Sequence, residues 1–252
     1  MSRMKYDDHP GKSRINSSLL YLFGTYFMRL FYKIHYEGTD RMNKTGPVLV
    51  LAKHQRYDDI PLGHAMVHGR CRKDVWCVMK DSLAAWYFFG VFMKCGGIPI
   101  NRKNPEKSRK FLMLARHVLY DGNAVVMFPE QTRVPAKMGK GRAPGFRFIT
   151  GKPSQPLAVN SLGFCYKKGF IRTHVFIRIG KTAYYDKYQD PDIFLHDRMH
   201  EMAELSSLTY PYRRPEGKQG AACAASAGGK EETISEMNFA GLAAIYGTGM
   251  TS

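Results

Sequence analysis

His54 and Asp59 stand five residues apart in Ala-Lys-His54-Gln-Arg-Tyr-Asp-Asp59-Ile-Pro, directly after the apolar run Val48-Leu49-Val50-Leu51. An imidazole near pH 7 can take a proton from a hydroxyl when a carboxylate holds its other ring nitrogen. Residues five apart do not share a helix face. The pair therefore needs His54 on a strand-exit turn and Asp59 in the first turn of a helix behind it, where Ile60-Pro61-Leu62 begins an apolar pattern. Asp58 competes for the same imidazole, and spacing alone does not choose between the two acids. A histidine closing its turn beside an aspartate capping its helix would give the same spacing. Further along, a second apolar run, Ala124-Val125-Val126-Met127-Phe128, ends in Pro129-Glu130-Gln131-Thr132-Arg133. Two buried strands that release charged residues at one end suggest a single site at the carboxyl edge of a sheet, where open α/β folds gather their chemistry.

The elements that must position these residues alternate from residue 46 onward. Strand candidates are 48–52, 74–79, 98–101, 124–128, 156–160 and 174–179. Between two of them Asn104 suits an N-cap, Pro105 the first helical position and Gly122 the residue past the end. Asp190-Pro191 opens another helix, to about Leu205, in the same way. Such alternation predicts an α/β fold with a mixed, largely parallel sheet flanked by helices. Ahead of it, residues 15–36 read as one amphipathic helix. Leu19, Leu20, Phe23, Phe27, Leu30, Phe31 and Ile34 recur at three- and four-residue spacing, with Ser18, Thr25, Arg29 and Lys33 on the other side. Arg29 and Lys33 interrupt the apolar run that a spanning helix needs. The expectation is a helix lying in a membrane interface with its cations at the headgroups; docking on the protein's own core is the alternative. Ser82–Val91 is apolar nearly all round and too short to span a bilayer: a core helix, the lining of an apolar tunnel, or a contact with lipid. The expected organisation is an N-terminal basic segment and helix (1–37), one catalytic domain (38–213) and a flexible tail rich in small residues (214–252).

The chain has 252 residues, with 38 Lys and Arg against 21 Asp and Glu, a formal net charge of +17. That excess favours an anionic partner. Its cations are interleaved with aromatic and aliphatic residues, as in Arg29-Leu-Phe-Tyr-Lys33, which suits a lipid interface. No nucleic-acid recognition motif is present, so nucleic acid is not an expected partner. The five cysteines form no Cys-x-x-Cys pair and point to a reducing compartment. No signal-peptide pattern marks the start. His64 and His68 sit four apart with Cys71 nearby, but no His-Glu-x-x-His pattern is completed and no metal is expected. The loop from Arg133 to Arg147, with Lys137, Lys140 and Arg142 among glycines, could grip the phosphates of a substrate or anionic lipid, or be a solvated basic loop. No Gly-x-Ser-x-Gly elbow offers a nucleophile.

Four blocks come in order: His54-x4-Asp59, Gly96-Gly97-Ile98-Pro99-Ile100-Asn101-Arg102, Phe128-Pro129-Glu130-Gln131-Thr132-Arg133, and Gln155-Pro156-Leu157-Ala158-Val159. Together they resemble the motifs of the glycerolipid acyltransferases, the 1-acylglycerol-3-phosphate acyltransferase (PlsC-type) family, from about Phe31 to about Leu205. The resemblance implies acyl transfer from acyl-CoA or acyl-carrier protein to the free hydroxyl of 1-acylglycerol-3-phosphate, giving phosphatidic acid. It implies His54 as general base, Asp59 as its orienting acid, and Arg102, Glu130 and Arg133 as acceptor-binding residues. No cofactor is implied beyond the acyl donor. A peripheral or monotopic enzyme with its active site on the cytosolic side of an anionic membrane is the corresponding placement. Other acceptors, such as another lysophospholipid, glycerol-3-phosphate or a lyso-amino-acid lipid, remain alternatives; a non-catalytic protein binding anionic membranes is a lesser one. Four positions depart from the family pattern. Lys53 and Arg56 replace an Asn and a small hydroxyl residue, Gln131 replaces Gly, and Pro99 replaces a common aromatic. The added charges could serve an acidic headgroup, and loss of the glycine could reshape the loop carrying Glu130.

Overall fold

The structure is a computed structural model and describes residues 9–85, 89–101 and 104–216. Eight strands, β1 (Tyr32–Glu37), β2 (Val48–Ala52), β3 (Val75–Lys80), β4 (Gly97–Ile100), β5 (Ala124–Met127), β6 (Leu157–Lys167), β7 (Thr173–Ile179) and β8 (Ala183–Tyr185), make one sheet. Its order is β1-β7-β6-β2-β5-β3-β4, with β8 paired to β6. Neighbours from β6 through β2, β5 and β3 to β4 are parallel, as are β1 and β7, whereas β6 runs antiparallel to β7 and β8. This is the mixed, largely parallel α/β sheet expected from the alternation of patterns.

Helices α1 (Arg14–Thr25), α2 (Asp59–Met66), α3 (Val91–Lys94), α4 (Pro105–Tyr120), α5 (Ala143–Thr150) and α6 (Pro191–Leu205) surround the sheet. Strand β2 is buried on both faces, as a central parallel strand must be. Val48, Val50 and Ala52 join a core with Leu62 and Met66 of α2; Leu49 and Leu51 join a second core with Leu119 of α4, Phe146 of α5 and Met199 of α6. The carboxyl end of β2 is thus wedged between two packed layers. At α6 the predicted start is found, the Asp190 side chain accepting from the N–H groups of Asp192 and Ile193. Gly122 follows α4 with φ 89°.

Two helices expected from the sequence are not formed. The helix read over residues 15–36 is three elements: α1, a 3-10 turn over Phe27–Leu30, and strand β1. Tyr32-Lys-Ile-His-Tyr-Glu pairs in parallel with β7, from Tyr32↔Thr173 to Glu37↔Arg178. That non-local ladder outweighs the local three- and four-residue spacing, in a segment rich in aromatic and β-branched side chains. Nor is Ser82–Val91 one helix. Asp81–Ala84 is a single 3-10 turn, and Phe89 and Gly90 have φ of 49° and 66°, a left-handed region that a right-handed helix cannot continue through. Residues 86–88 fall outside the described part, as does the expected tail from residue 217 on.

Helix α1 lies on the protein with small and polar residues inward. Its buried residues are Ser17, Gly24 and Thr25. A Cβ at Gly24 would come within 2.1 Å of the Pro61 carbonyl oxygen, so the small residue is what lets α1 approach α2. His64 Nε2 donates to the Ser17 carbonyl across the same contact (3.1 Å). Most apolar side chains of α1 and of the turn after it face outward: Leu19 is 59% exposed and Leu30 66%, with Ile15, Leu22, Phe23, Phe27 and Phe31 also exposed. Among the described residues no helix is long and apolar enough to cross a membrane.

Candidate active site

Strand β2 ends at Ala52, the chain turns through His54–Asp58, and α2 begins at Asp59. The Asp59 carboxylate folds back over that turn. Its Oδ2 accepts from the N–H groups of Gln55 (2.5 Å) and Arg56 (2.7 Å) and lies 3.2 Å from His54 Nδ1. A carboxylate only accepts, so Nδ1 carries the proton and Nε2 keeps its lone pair free. Asp59 Oδ1 accepts from Tyr166 OH of β6 (2.5 Å). Burial, reinforced by the Asp59 charge, holds the Tyr166 hydroxyl far above its ordinary pKa, so it stays a donor. The choice between the two acids is settled by these contacts. Asp58 instead takes Tyr32 OH (2.5 Å) and Arg56 Nε (3.2 Å). The Tyr32 phenol, pushed up to about 12 by burial and then by Asp58, remains protonated. Gln55 is buried and donates through Nε2 to the Phe164 carbonyl (2.6 Å), pinning the turn to β6.

The ring of His54 packs against Phe128, with centroids 4.6 Å apart. Both rings line a predominantly apolar cavity of about 130 Å³ that also meets Asp59, Gly63, Cys77, Leu83, Phe92 and, from α1, Leu20. On the other side of Phe128 lies a larger cavity of about 730 Å³, lined among others by Asn101, Ser108, Gln131, Lys140, Arg142 and Arg147. Arg147 is tied to Asp192, whereas the cationic rim around Lys140 and Arg142 gives this second space an affinity for negative charge.

Glu130 does not reach either cavity. It is 2% exposed, and its carboxylate is fully engaged: both oxygens accept from Lys53 Nζ (2.7 Å each), Oε2 from the His54 N–H (3.3 Å) and Oε1 from the Gly139 N–H (2.5 Å). Lys53, 0% exposed, also donates to the Val134 carbonyl (3.0 Å). Burial lowers the Lys53 ammonium and Glu130 opposes that shift. The acceptor-binding role expected for Glu130, and the headgroup role considered for Lys53, are therefore replaced by a structural one. The pair clamps the His54 backbone to the loop after β5, where Val134 N–H also donates to the His54 carbonyl (2.9 Å). Gln131, where the family pattern has Gly, keeps φ at 57°, so the glycine conformation survives without the glycine. Arg133 is exposed, its guanidinium carbon 3.5 Å from the centroid of Tyr57 in the His54–Asp59 turn. Arg56 spans Tyr32 and Tyr166, donating to Tyr32 OH at 3.1 Å. Arg102 falls outside the described residues.

With this geometry in place, comparison with known protein families matches residues 33–175 to the family described as Acyltransferase, more than half of the chain. The chain belongs to the acyltransferase family. It is accordingly an acyl-transferring enzyme, and its fold is the one the motif blocks implied. The crystal structure of the 1-acyl-sn-glycerophosphate (LPA) acyltransferase PlsC from Thermotoga maritima is similar, with a TM-score of 0.56 over 75% of this chain and 77% of that chain. At 19% sequence identity that likeness bears on the fold. No curated protein matches.

Tyr166, Gln55, Phe128 and Tyr57 are the site residues that sequence reasoning missed. Tyr166 lies 107 positions beyond Asp59. It arrives only because β6 pairs in parallel with β2, and no local pattern encodes that. Tyr57 stood inside the first motif block, and its place between two charged neighbours was the available signal. His64 fastens α2 to α1 through the Ser17 carbonyl, and His68 stacks on it at 4.6 Å.

Proposed function

We propose that this acyltransferase moves an acyl group from acyl-CoA or acyl-carrier protein to the free hydroxyl of 1-acylglycerol-3-phosphate, producing phosphatidic acid at an anionic membrane surface. The observation that carries the proposal is the His54–Asp59 pair at the mouth of an apolar cavity, in a chain of this family. His54 Nε2 takes the hydroxyl proton as the oxygen attacks the thioester carbonyl. Asp59 holds Nδ1–H and favours the imidazolium that forms. Collapse of the tetrahedral intermediate breaks the C–S bond, and the thiolate receives the proton from Nε2. A thioester is already activated, so no enzyme nucleophile is required.

The apolar cavity is close in size to one that holds a benzene-sized group, ~150 Å³, and suits part of an acyl chain. Arg133 beside the histidine turn and, by its motif position, Arg102 supply planar donors for the acceptor phosphate. The cation-rimmed cavity beyond Phe128 accommodates the anionic end of a substrate. The outward apolar face of α1 and the following turn, with Arg29 and Lys33 beside it, supports peripheral attachment to lipid.

Isotope-labelled acyl-CoA and acyl-carrier protein, each offered with 1-acylglycerol-3-phosphate, other lysophospholipids, glycerol-3-phosphate and lyso-amino-acid lipids, test donor and acceptor together. His54→Ala is expected to lose at least ~10²-fold in turnover while remaining folded. Full transfer by that variant would overturn the mechanism, and transfer only to another acceptor would overturn the substrate.

A further inference from the structure

The turn between β6 and β7 carries the most exposed large apolar residues of the described chain. Phe170 is 106% exposed and Ile171 87%, within Lys167-Lys168-Gly169-Phe170-Ile171-Arg172. Nothing in the acyl-transfer chemistry uses them. The turn is closed tightly, a Cβ at Gly169 falling within 2.4 Å of the Arg172 carbonyl oxygen. The two side chains are thus presented by a compact hairpin on long paired strands.

The sheet's register says what this tip stands beside. Strands β1 and β7 are parallel with Tyr32 opposite Thr173, so the residues before each, Leu30–Phe31 and Ile171–Arg172, emerge at one end. Arg172 Nη1 donates to the Arg29 carbonyl (2.8 Å), fastening the hairpin to the 3-10 turn that exposes Phe27, Leu30 and Phe31. That end is also the catalytic one. Strand β6 runs parallel to β2, so the hairpin leaves β6 at the same edge at which His54 leaves β2, and Tyr166 reaches Asp59 four residues before Phe170. Charge selects the occupant. From Arg14 to Tyr36 and from Leu162 to Tyr185 there is no Asp or Glu, while Arg29, Lys33, Lys167, Lys168 and Arg172 are exposed. Apolar tips flanked by these cations fit the acyl boundary of an anionic bilayer, with headgroup phosphates above it.

We infer that the Phe170–Ile171 hairpin tip is a second lipid-inserting element, which together with α1 and its following turn sets the His54 edge of the sheet down on an anionic membrane. This rests on the membrane placement proposed above. Two separated points of insertion fix an orientation that one helix, free to roll about its axis, would not.

The full chain, Phe170→Ser/Ile171→Ser and Phe170→Trp are compared by flotation with vesicles of phosphatidylcholine containing phosphatidylglycerol and with vesicles of phosphatidylcholine alone. The wild type is expected to float with the anionic vesicles. The double serine variant should bind ~10-fold or more weakly, yet keep turnover of a short-chain, water-dispersed acceptor within about 2-fold, because it touches no reacting group. Relative to wild type, the added emission of Phe170→Trp should shift to the blue on vesicle addition and be quenched by lipids brominated on the acyl chain. If the wild type floats but that emission neither shifts nor is quenched, the hairpin inference is wrong and the α1 attachment stands. A wild type that does not float removes the membrane reading itself, and the hairpin inference with it. If the serine substitutions instead abolish a dimer seen by light scattering without lipid, the tip belongs to a second copy of the chain and the inference is overturned.

Discussion

Replacing Lys53 by Met tests whether Glu130 is held as a structural clamp or left available to substrate. Methionine keeps the length of the apolar stem and removes the charge. The Glu130 carboxylate then stays buried with two backbone donors, His54 N–H and Gly139 N–H, in place of the two short contacts from Lys53. Breaking a buried ion pair from one side costs about 3–5 kcal/mol. The two remaining donors place this case at the lower end, ~3 kcal/mol. For a domain of this size each kcal/mol moves the melting temperature by roughly 2–4 °C, so a fall of roughly 6–12 °C follows. Adding Glu130→Gln to Lys53→Met removes the stranded charge while keeping an acceptor for Gly139 N–H. The double variant should therefore recover ~1–2 kcal/mol relative to the sum of the single changes. Thermal and denaturant melts measure the cycle, and acyl transfer at varied acceptor concentration is read alongside. A Lys53→Met variant less than ~1 kcal/mol destabilised, with additive effects in the double variant, would refute the clamp. So would a Glu130→Gln variant of normal stability whose acceptor KM alone rises.

Three other outcomes follow from the structure. Tyr166→Phe strips a donor from Asp59 Oδ1, a bond to a charged group worth ~1.5–3 kcal/mol, and should lower kcat by ~10-fold or more, whereas unchanged kcat and stability would show Asp59 held without it. Burial, then for His64 its neighbour His68 and for His68 the nearby Lys12, lowers both imidazoles to about 4 from 6.5. As pH falls through 6.5 the unfolded chain takes up protons that the folded one refuses, so stability drops between about pH 6.5 and 4, and melts of His64→Gln/His68→Gln should lose that slope. Gln131→Gly relieves an L-residue held at φ 57° and is expected to raise stability by ~0.5–1 kcal/mol; a loss in the denaturation midpoint would mean that the Gln131 side chain contributes more than its backbone strain costs.

The parts of this molecule that could be read in advance are those encoded by short-range patterns. Val48–Ala52 and Ala124–Met127 announced themselves as buried strands, and Asp190-Pro191 as a helix start. That His54 meets an acid of its own turn was legible from the strand-to-helix spacing, but the choice of Asp59 over Asp58 was not. What was hidden depends on pairings between distant segments. Strand β1 looked helical because its partner β7 begins about 140 residues later, at Thr173. Glu130 looked like a ligand for substrate because its motif position carries no sign of Lys53 beneath it. Helix α1 had its apolar stripe recognised, yet the side on which it rests could be learned only from Gly24 meeting Pro61.

One turn of α1 separates two environments. Leu19 looks out from the surface, and its neighbour Leu20 forms part of the wall beside the catalytic imidazole. Trimming the amino-terminal segment to ease purification would therefore breach the interior, opening to water the space proposed for the acyl chain. Under the function proposed above, attachment and the acyl-chain space meet on one helix, which serves as hull on one side and as bulkhead on the other.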